Sequence, residues 1–116
     1  MTDDRFDPEQ LPAPVRRYLD ARRARSSASL SSVFAPDARV VDEDAEHLGL
    51  AAVEEWFRAS GSEYTYTTTY LRQTADAPDR WTVVAHLEGD FPGGEVDLHH
   101  RFRLAGDRIA DLVIEP

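Results

Sequence analysis

The chain has 116 residues, of which 41% are hydrophobic and 30% charged, with no cysteine and a formal net charge of −9. This length predicts one domain, and the acidic surface argues against nucleic acid or an anionic membrane as a partner, because both repel negative charge. The sequence contains no apolar stretch near the ~20 residues of a membrane span and starts with the acidic segment MTDDRFDPEQ, so we expect a cytoplasmic protein.

The N-terminal part of the chain carries helical patterns. Residues 1–10 are rich in Asp, Glu and Pro and predict a flexible tail, which leaves residues 11–116 as a single domain. Pro14 suits the first turn of a helix, and apolar residues recur at helical spacing around Tyr18. The basic run at residues 22–25 predicts the solvated end of that helix.

A second helix is predicted over residues 30–34, and Pro36 is expected to end it. Residues 39–42 read as a short strand, and a third helix follows Gly49. Between them, Glu43, Asp44, Glu46 and His47 predict a mobile, solvated loop. Their spacing matches neither a helical His–Glu pair nor a calcium-binding loop, so no metal site is expected there.

From residue 64 onward the hydrophobic period changes to that of β-strands. Residues 64–73, 80–91, 95–104 and 108–115 are separated by turn-forming segments and predict four strands. Three helices followed by such a meander indicate an α+β fold, with the helices packed on one face of a curved antiparallel sheet.

The order of these segments resembles the SnoaL-like branch of the nuclear transport factor 2-like superfamily. The stretches RRYLDA, VFAPDARVVDED, LGLAAVEEWF and GDFPGGEVDLHHRFRLAGDRIADLVIEP carry the resemblance, which extends from about residue 12 to the end. It implies a strongly curved, mostly antiparallel sheet wrapped around three helices as a cone with a central apolar pocket. It also implies a homodimer formed through the sheet. We expect a hydrophobic small molecule as ligand and no cofactor.

Comparison with the ketosteroid isomerase branch of that superfamily suggests site residues. Tyr18 and Asp42 stand where that branch has a hydrogen-bond donor and a proton-transferring acid. Leu98 stands where the branch has its second acid, and Phe34 and Phe57 replace tyrosines that support the first donor. Steroid isomerisation is therefore not expected, because losing one oxyanion donor costs on the order of 100-fold in rate.

Strand periodicity adds His100 to these candidates. It shares a face with Leu98 and Phe102, so it points toward the core or the pocket and can assist proton transfer. The alternatives are that His100 and Tyr18 only pack in the core, and that Asp42 belongs to a turn or a helix start.

Two functions follow from these readings. The first is a small-molecule-binding domain without catalytic activity; the second is an isomerase, cyclase or lyase acting on a hydrophobic carbonyl compound, with Asp42 as base, Tyr18 as donor and His100 assisting. Six residues are expected to line the pocket: Phe34, Val40, Trp56, Phe57, Leu98 and Phe102.

Overall fold

The computed structural model describes residues 4–60 and 64–116, and nothing is stated about the remaining residues. The helices are α1 (Ala13–Ala24), α2 (Leu30–Val33) and α3 (Leu50–Ser60). The strands are β1 (Phe34–Asp42), β2 (Ala45–Leu48), β3 (Tyr66–Ala77), β4 (Arg80–Gly89), β5 (Glu95–Ala105) and β6 (Arg108–Glu115).

All six strands form one sheet in the order β2-β1-β6-β5-β4-β3. Every neighbouring pair is antiparallel except β1 and β6, which are parallel. The sheet is curved and does not close into a barrel. The predicted α+β class is confirmed.

Helix α1 follows from its sequence. Pro14 lies in the first turn, where its missing N–H is not needed. The helix ends at Arg25, which adopts a left-handed conformation (φ 53°) and donates its backbone N–H to the carbonyls of Ala21 and Arg22. Its buried face holds Val15, Tyr18 and Leu19 at the predicted spacing.

Strand β1 is longer than predicted. Phe34 begins this strand and does not continue the second helix, so that part of the prediction was wrong. Pro36, expected to end the helix, lies inside β1 at a place where the register with β6 shifts between Phe34 and Arg39. An irregular stretch of this kind tolerates a residue without an N–H donor.

The acidic segment after β1 is a hairpin and not a loop. Glu43 and Asp44 form its turn, both with positive φ (52° and 63°), and Asp42 pairs with Ala45 across it. Positive φ at both central residues gives a turn whose twist matches the two strands. Glu46 and His47 therefore lie in β2, and the loop prediction was wrong for them.

The described residues of the N-terminal segment lie along the free edge of β3. Arg5 forms a bridge with Arg72, and the amide of Gln73, only 7% exposed, bonds both the N–H and the carbonyl of Asp7 at 2.9 Å. Phe6 stacks on Tyr70 with ring centroids 4.9 Å apart. The flexibility predicted for residues 1–10 stays a prediction, and residues 1–3 lie outside the described part of the chain.

The core lies between the helices and the inner face of the sheet. The largest fully buried side chains include Tyr18, Phe34, Phe102, Leu30, Ile109 and Leu112.

Gly49 joins β2 to α3 with φ 86°, a conformation that L-residues rarely adopt, and its N–H bonds the Ala38 carbonyl at 2.8 Å. None of the described helices is long and apolar enough to cross a membrane.

Candidate functional site

A cavity of about 1340 Å³ lies between α1, the end of α3 and the inner face of the sheet. Strand β3 contributes Tyr66, Thr68 and Tyr70 to its wall, while α1 contributes several charged side chains. Aromatic rings, arginines and acids thus share the wall.

The cavity brings the three catalytic candidates together, because Tyr18, Asp42 and His100 all line it. The expected pocket residues divide between the cavity and the core. Phe57 and Leu98 line the cavity. The other four belong to the buried core cluster: Phe34, Val40, Trp56 and Phe102.

Asp42 lies at the end of β1, two positions after the fully buried Val40, so both side chains point to the inner face. Its Oδ2 accepts a hydrogen bond from the indole Nε1 of Trp56 over 3.0 Å. Among the described residues no donor bonds its Oδ1. One carboxylate oxygen is therefore held in place, and the other remains available at the cavity wall.

Tyr18 is 1% exposed and sits in an aromatic cluster. The edges of Phe34, Phe57 and Phe102 surround its ring, with centroids 5.8, 6.3 and 5.7 Å away. Burial raises the pKa of its phenol above the usual value of 10.0, although Arg22 opposes this effect. At neutral pH the phenol therefore keeps its proton.

Arg22 is the site residue that sequence reasoning missed. Its Nε donates to the Tyr18 hydroxyl over 3.1 Å, and its guanidinium carbon lies 4.1 Å from the centre of the Phe57 ring. The basic run was predicted to be solvated, and this is wrong for Arg22, which lines the cavity and is only partly exposed. The sequence did indicate this inward position: Arg22 follows Tyr18 by four residues, and residues at this spacing lie on the same face of a helix.

His100 lies on the inner face of β5, as predicted, and its ring is stacked parallel to that of Phe102. Burial, reinforced by the positive charge of Arg22, lowers its pKa to about 4. Its Nδ1 is buried without a hydrogen-bond partner among the described residues. At neutral pH the ring is therefore uncharged and a poor proton acceptor.

The residues of the predicted acidic loop occupy different places. Glu43 and Asp44 line the cavity from the hairpin turn. On β2, Glu46 forms an ion pair with Arg39, and the ring of His47 lies 6.1 Å from that of Trp56. This segment thus contributes to the cavity wall through its turn, while its strand supports the edge of the sheet.

One group of described residues has a spacing that can accommodate a metal ion. His86, Glu88 and Glu95 place a ligand atom each within 4.8 Å of one another. His86 alternates with the cavity residues Ala85 and Leu87, so this group lies on the outer face of the sheet. Its two glutamates are exposed, His86 is partly buried, and the group is separate from the cavity.

Comparison with known proteins identifies the family. Residues 15–112 match the model of the SnoaL-like domain. No match was found among curated proteins.

Solved structures agree with this assignment. A candidate polyketide cyclase from Sinorhizobium meliloti is 38% identical, with a TM-score of 0.87 over 95% of this chain and 100% of that one. A protein with a ketosteroid isomerase-like fold from Catenulispora acidiphila, solved in complex with trimethylamine, is 20% identical over 92% and 87% of the two chains (TM-score 0.77). A steroid delta-isomerase from Pseudomonas aeruginosa is 22% identical over 90% and 78% (TM-score 0.72). The chain belongs to the SnoaL-like branch of the nuclear transport factor 2-like superfamily.

Proposed function

We propose that the protein binds a small carbonyl compound in the cavity and transfers a proton within it, as an isomerase or cyclase does. One observation carries the proposal: Asp42 and Tyr18 line the same cavity, and each is held by a hydrogen bond from a neighbouring side chain. A carboxylate and a neutral phenol facing one space are the base and the donor that enolisation requires.

The chemistry can be assigned atom by atom. Oδ1 of Asp42 takes a proton from the carbon next to the ligand carbonyl. The electrons of the broken C–H bond form the C=C bond of the enolate, and the π electrons of the carbonyl move onto its oxygen. The hydroxyl of Tyr18 donates a hydrogen bond to this oxygen as its negative charge develops. The proton then returns from Asp42 to another carbon. Alternatively, the enolate carbon attacks a second carbonyl and closes a ring, and the alkoxide that forms takes the proton from Asp42.

The arrangement of Asp42 favours catalysis over simple binding. A base needs one oxygen that is free to take a proton and a fixed orientation toward it. Here Trp56 fixes Oδ2 alone. Enzymes benefit from such fixed geometry, because a base held within reach of its proton avoids the cost of orienting it in the transition state.

The likeness to a candidate polyketide cyclase supports a carbonyl-rich ligand. Leu98 occupies the place expected for the second acid and cannot donate a hydrogen bond, which argues against steroid isomerisation itself. The ligand class we favour is therefore an aromatic or cyclic compound with a ketone or enone group.

A ligand screen with paired variants tests the proposal. Thermal shifts of the wild type, Asp42→Asn and the control Asp37→Asn are measured against cyclic enones, aryl ketones and aromatic phenols. Asp37 is an exposed acid on the same strand, outside the cavity wall. A ligand at 100 times its dissociation constant adds about 2.7 kcal/mol of stability.

We expect one of these classes to stabilise all three proteins and to be converted only by the wild type and Asp37→Asn. Ligand binding with equal conversion by Asp42→Asn would contradict the catalytic proposal. Binding without conversion by any of the proteins would favour the non-catalytic binding domain.

A further inference from the structure

The hydrogen bond between Arg22 and Tyr18 has an unambiguous direction. A guanidinium carries only N–H donors and no acceptor, whereas a phenol has one donor and accepting lone pairs. The 3.1 Å contact from Nε therefore makes the Tyr18 oxygen the acceptor. The single hydroxyl hydrogen of Tyr18 must point elsewhere.

Arg22 is itself fixed by the last turns of α3. Its Nη1 donates to the Phe57 carbonyl over 3.0 Å, and its Nη2 donates to the Ser60 hydroxyl over 2.7 Å. Its guanidinium carbon also lies 4.6 Å from the centre of the Trp56 ring. These contacts hold a long side chain in one arrangement, so its Nε–H has a defined direction toward Tyr18.

The hydroxyl hydrogen of Tyr18 is left for the cavity. Among residues 4–60 and 64–116, no protein group accepts a hydrogen bond from this hydroxyl. Three of the surrounding rings are phenylalanines, and their centroids lie within 6.3 Å of the Tyr18 ring. Because Tyr18 lines the cavity, the free direction leads to the space that a ligand would occupy.

We propose that Arg22 is a positioning residue, which holds the Tyr18 phenol as a donor toward the cavity and makes the site selective for a ligand oxygen that gains negative charge. This inference rests on the proposed function. It assigns to Arg22 the support that a second acid and additional tyrosines provide in the ketosteroid isomerase branch.

The charges around Tyr18 agree with this role. Arg22 is the nearby cation, Asp42 is the nearby anion, and Tyr66 is a further titratable group that acts on the phenol. The positive charge of Arg22 makes the phenol a stronger donor, because a bond accepted from a cation polarises the hydroxyl. A ligand that offers only N–H donors at this point would leave the hydroxyl hydrogen of Tyr18 without an acceptor.

The titration of Tyr18 in the unliganded protein tests the inference. The phenol is followed by NMR of the ring carbon Cζ, assigned with Tyr18→Phe, in the wild type, Arg22→Met and Arg17→Met. Arg17 is the matched control, since it is an exposed arginine on the same helix and outside the cavity wall. We expect the pKa of Tyr18 to rise in Arg22→Met, because Arg22 lowers it through charge and hydrogen bonding. An equal pKa in the two variants would overturn the inference.

A second measurement uses Tyr18→Phe, which keeps the ring and can be studied even if Arg22→Met does not fold. Solvent exchange of the Arg22 Nε–H is followed by NMR. We expect exchange at least about 10-fold faster than in the wild type, because this N–H loses the Tyr18 oxygen as its acceptor. Unchanged exchange would show that Tyr18 does not hold Arg22 and would overturn the inference.

The kinetic consequence separates this inference from the proposed function. With a converted ketone, Arg22→Met should lower kcat by about 10-fold or more and change KM little, as expected for an interaction made mainly in the transition state. If Asp42→Asn leaves conversion intact, the proposed function fails, whatever the Tyr18 titration shows. If Asp42→Asn abolishes conversion while Arg22→Met leaves kcat and the Tyr18 pKa unchanged, only the present inference fails.

Discussion

The indole Nε1 of Trp56 donates a hydrogen bond to Oδ2 of Asp42 over 3.0 Å, and this contact joins α3 to the end of β1. Trp56 is 6% exposed and part of the core cluster. A residue expected to line the pocket is thus packed behind it and presents its N–H to the candidate base. The core of the protein fixes the orientation of the carboxylate.

Replacing Trp56 with Phe should therefore weaken catalysis more than ligand binding. The ring of Phe keeps part of the apolar packing but offers no donor, so Asp42 can rotate away from its reactive orientation. We expect kcat to fall by about 10-fold or more, with KM changed less. Trp81→Phe on β4 is the control for a Trp substitution, because Trp81 does not contact Asp42. Equal kcat values in the two variants would show that the indole bond has no catalytic role.

Tyr18→Phe should reduce both stability and turnover. The substitution leaves the Arg22 Nε–H without its acceptor, and a hydrogen bond to a charged group contributes about 1.5–3 kcal/mol. We expect chemical denaturation to show a loss of this size. Turnover of a ketone substrate should fall by about 100-fold, since the donor to the developing oxyanion is gone. Wild-type turnover in a folded Tyr18→Phe would remove Tyr18 from the mechanism.

His100 should make the protein less stable in mild acid. Burial lowers its pKa to about 4 from 6.5, so between these values the unfolded chain binds a proton that the folded protein does not. The free energy of unfolding should thus decrease as the pH falls from 6.5 toward 4, by at most about 3 kcal/mol from this group. Urea denaturation of His100→Leu across this range should show a flatter dependence on pH.

For His86 the expected dependence of stability on pH has the opposite sign. His86 lies on the outer face of the sheet, where hydrogen bonds to Asp97 and, with a smaller effect, to Glu88 raise its pKa above 6.5. Its stabilising contribution is present below the pKa of the unfolded state and is lost as the pH rises through the higher pKa of the folded state. His86→Gln should therefore lower stability more in acid than at alkaline pH. If both His variants changed the pH dependence in the same direction, the assignment of His100 as a buried neutral group would be wrong.

The spacing of hydrophobic residues predicted the helices and the long strands, because each of these elements buries one of its faces. Tyr18 on α1 and His100 on β5 both point inward, as their spacing indicates. Strand β2 was not predicted because its residues, Ala45–Leu48, are mostly exposed and follow a turn of Glu43 and Asp44 without glycine. Such a hairpin is stabilised by its pairing with β1, which a local pattern does not contain.

The site was predicted only in part for a similar reason. Tyr18 and Asp42 were identified from the resemblance to a family, whereas Arg22 was assigned to solvent because it stands in a run of basic residues. Its inward position depends on hydrogen bonds to the Phe57 carbonyl and the Ser60 hydroxyl at the end of α3, which lie 35 and 38 residues later in the sequence. The contact of Trp56 with Asp42 was likewise not predicted, because it joins a helix to a strand 14 residues earlier in the sequence.

The homodimer implied by the resemblance can be tested on the outer face of β3. Tyr66, Thr68 and Tyr70 line the cavity, so the exposed Thr69 points to the opposite face. If the sheet forms the interface, Thr69→Lys should halve the mass measured by light scattering, because the partner would place an identical charge nearby. Ser31→Lys, an exposed position on α2, should leave the mass unchanged. An unchanged mass in Thr69→Lys would remove this face as the interface.

The most direct test of the proposed chemistry is proton exchange at the carbon next to a ketone. Benzoylacetone, tetralone and cyclohexenone are incubated in D₂O with the wild type, Asp42→Asn or Asp37→Asn, and loss of the α-proton is followed by NMR. The account predicts that the wild type and Asp37→Asn accelerate exchange of at least one ketone over buffer, while Asp42→Asn is slower by about 100-fold or more. Exchange at the same rate with the wild type and with folded Asp42→Asn would contradict the assignment of Asp42 as the base.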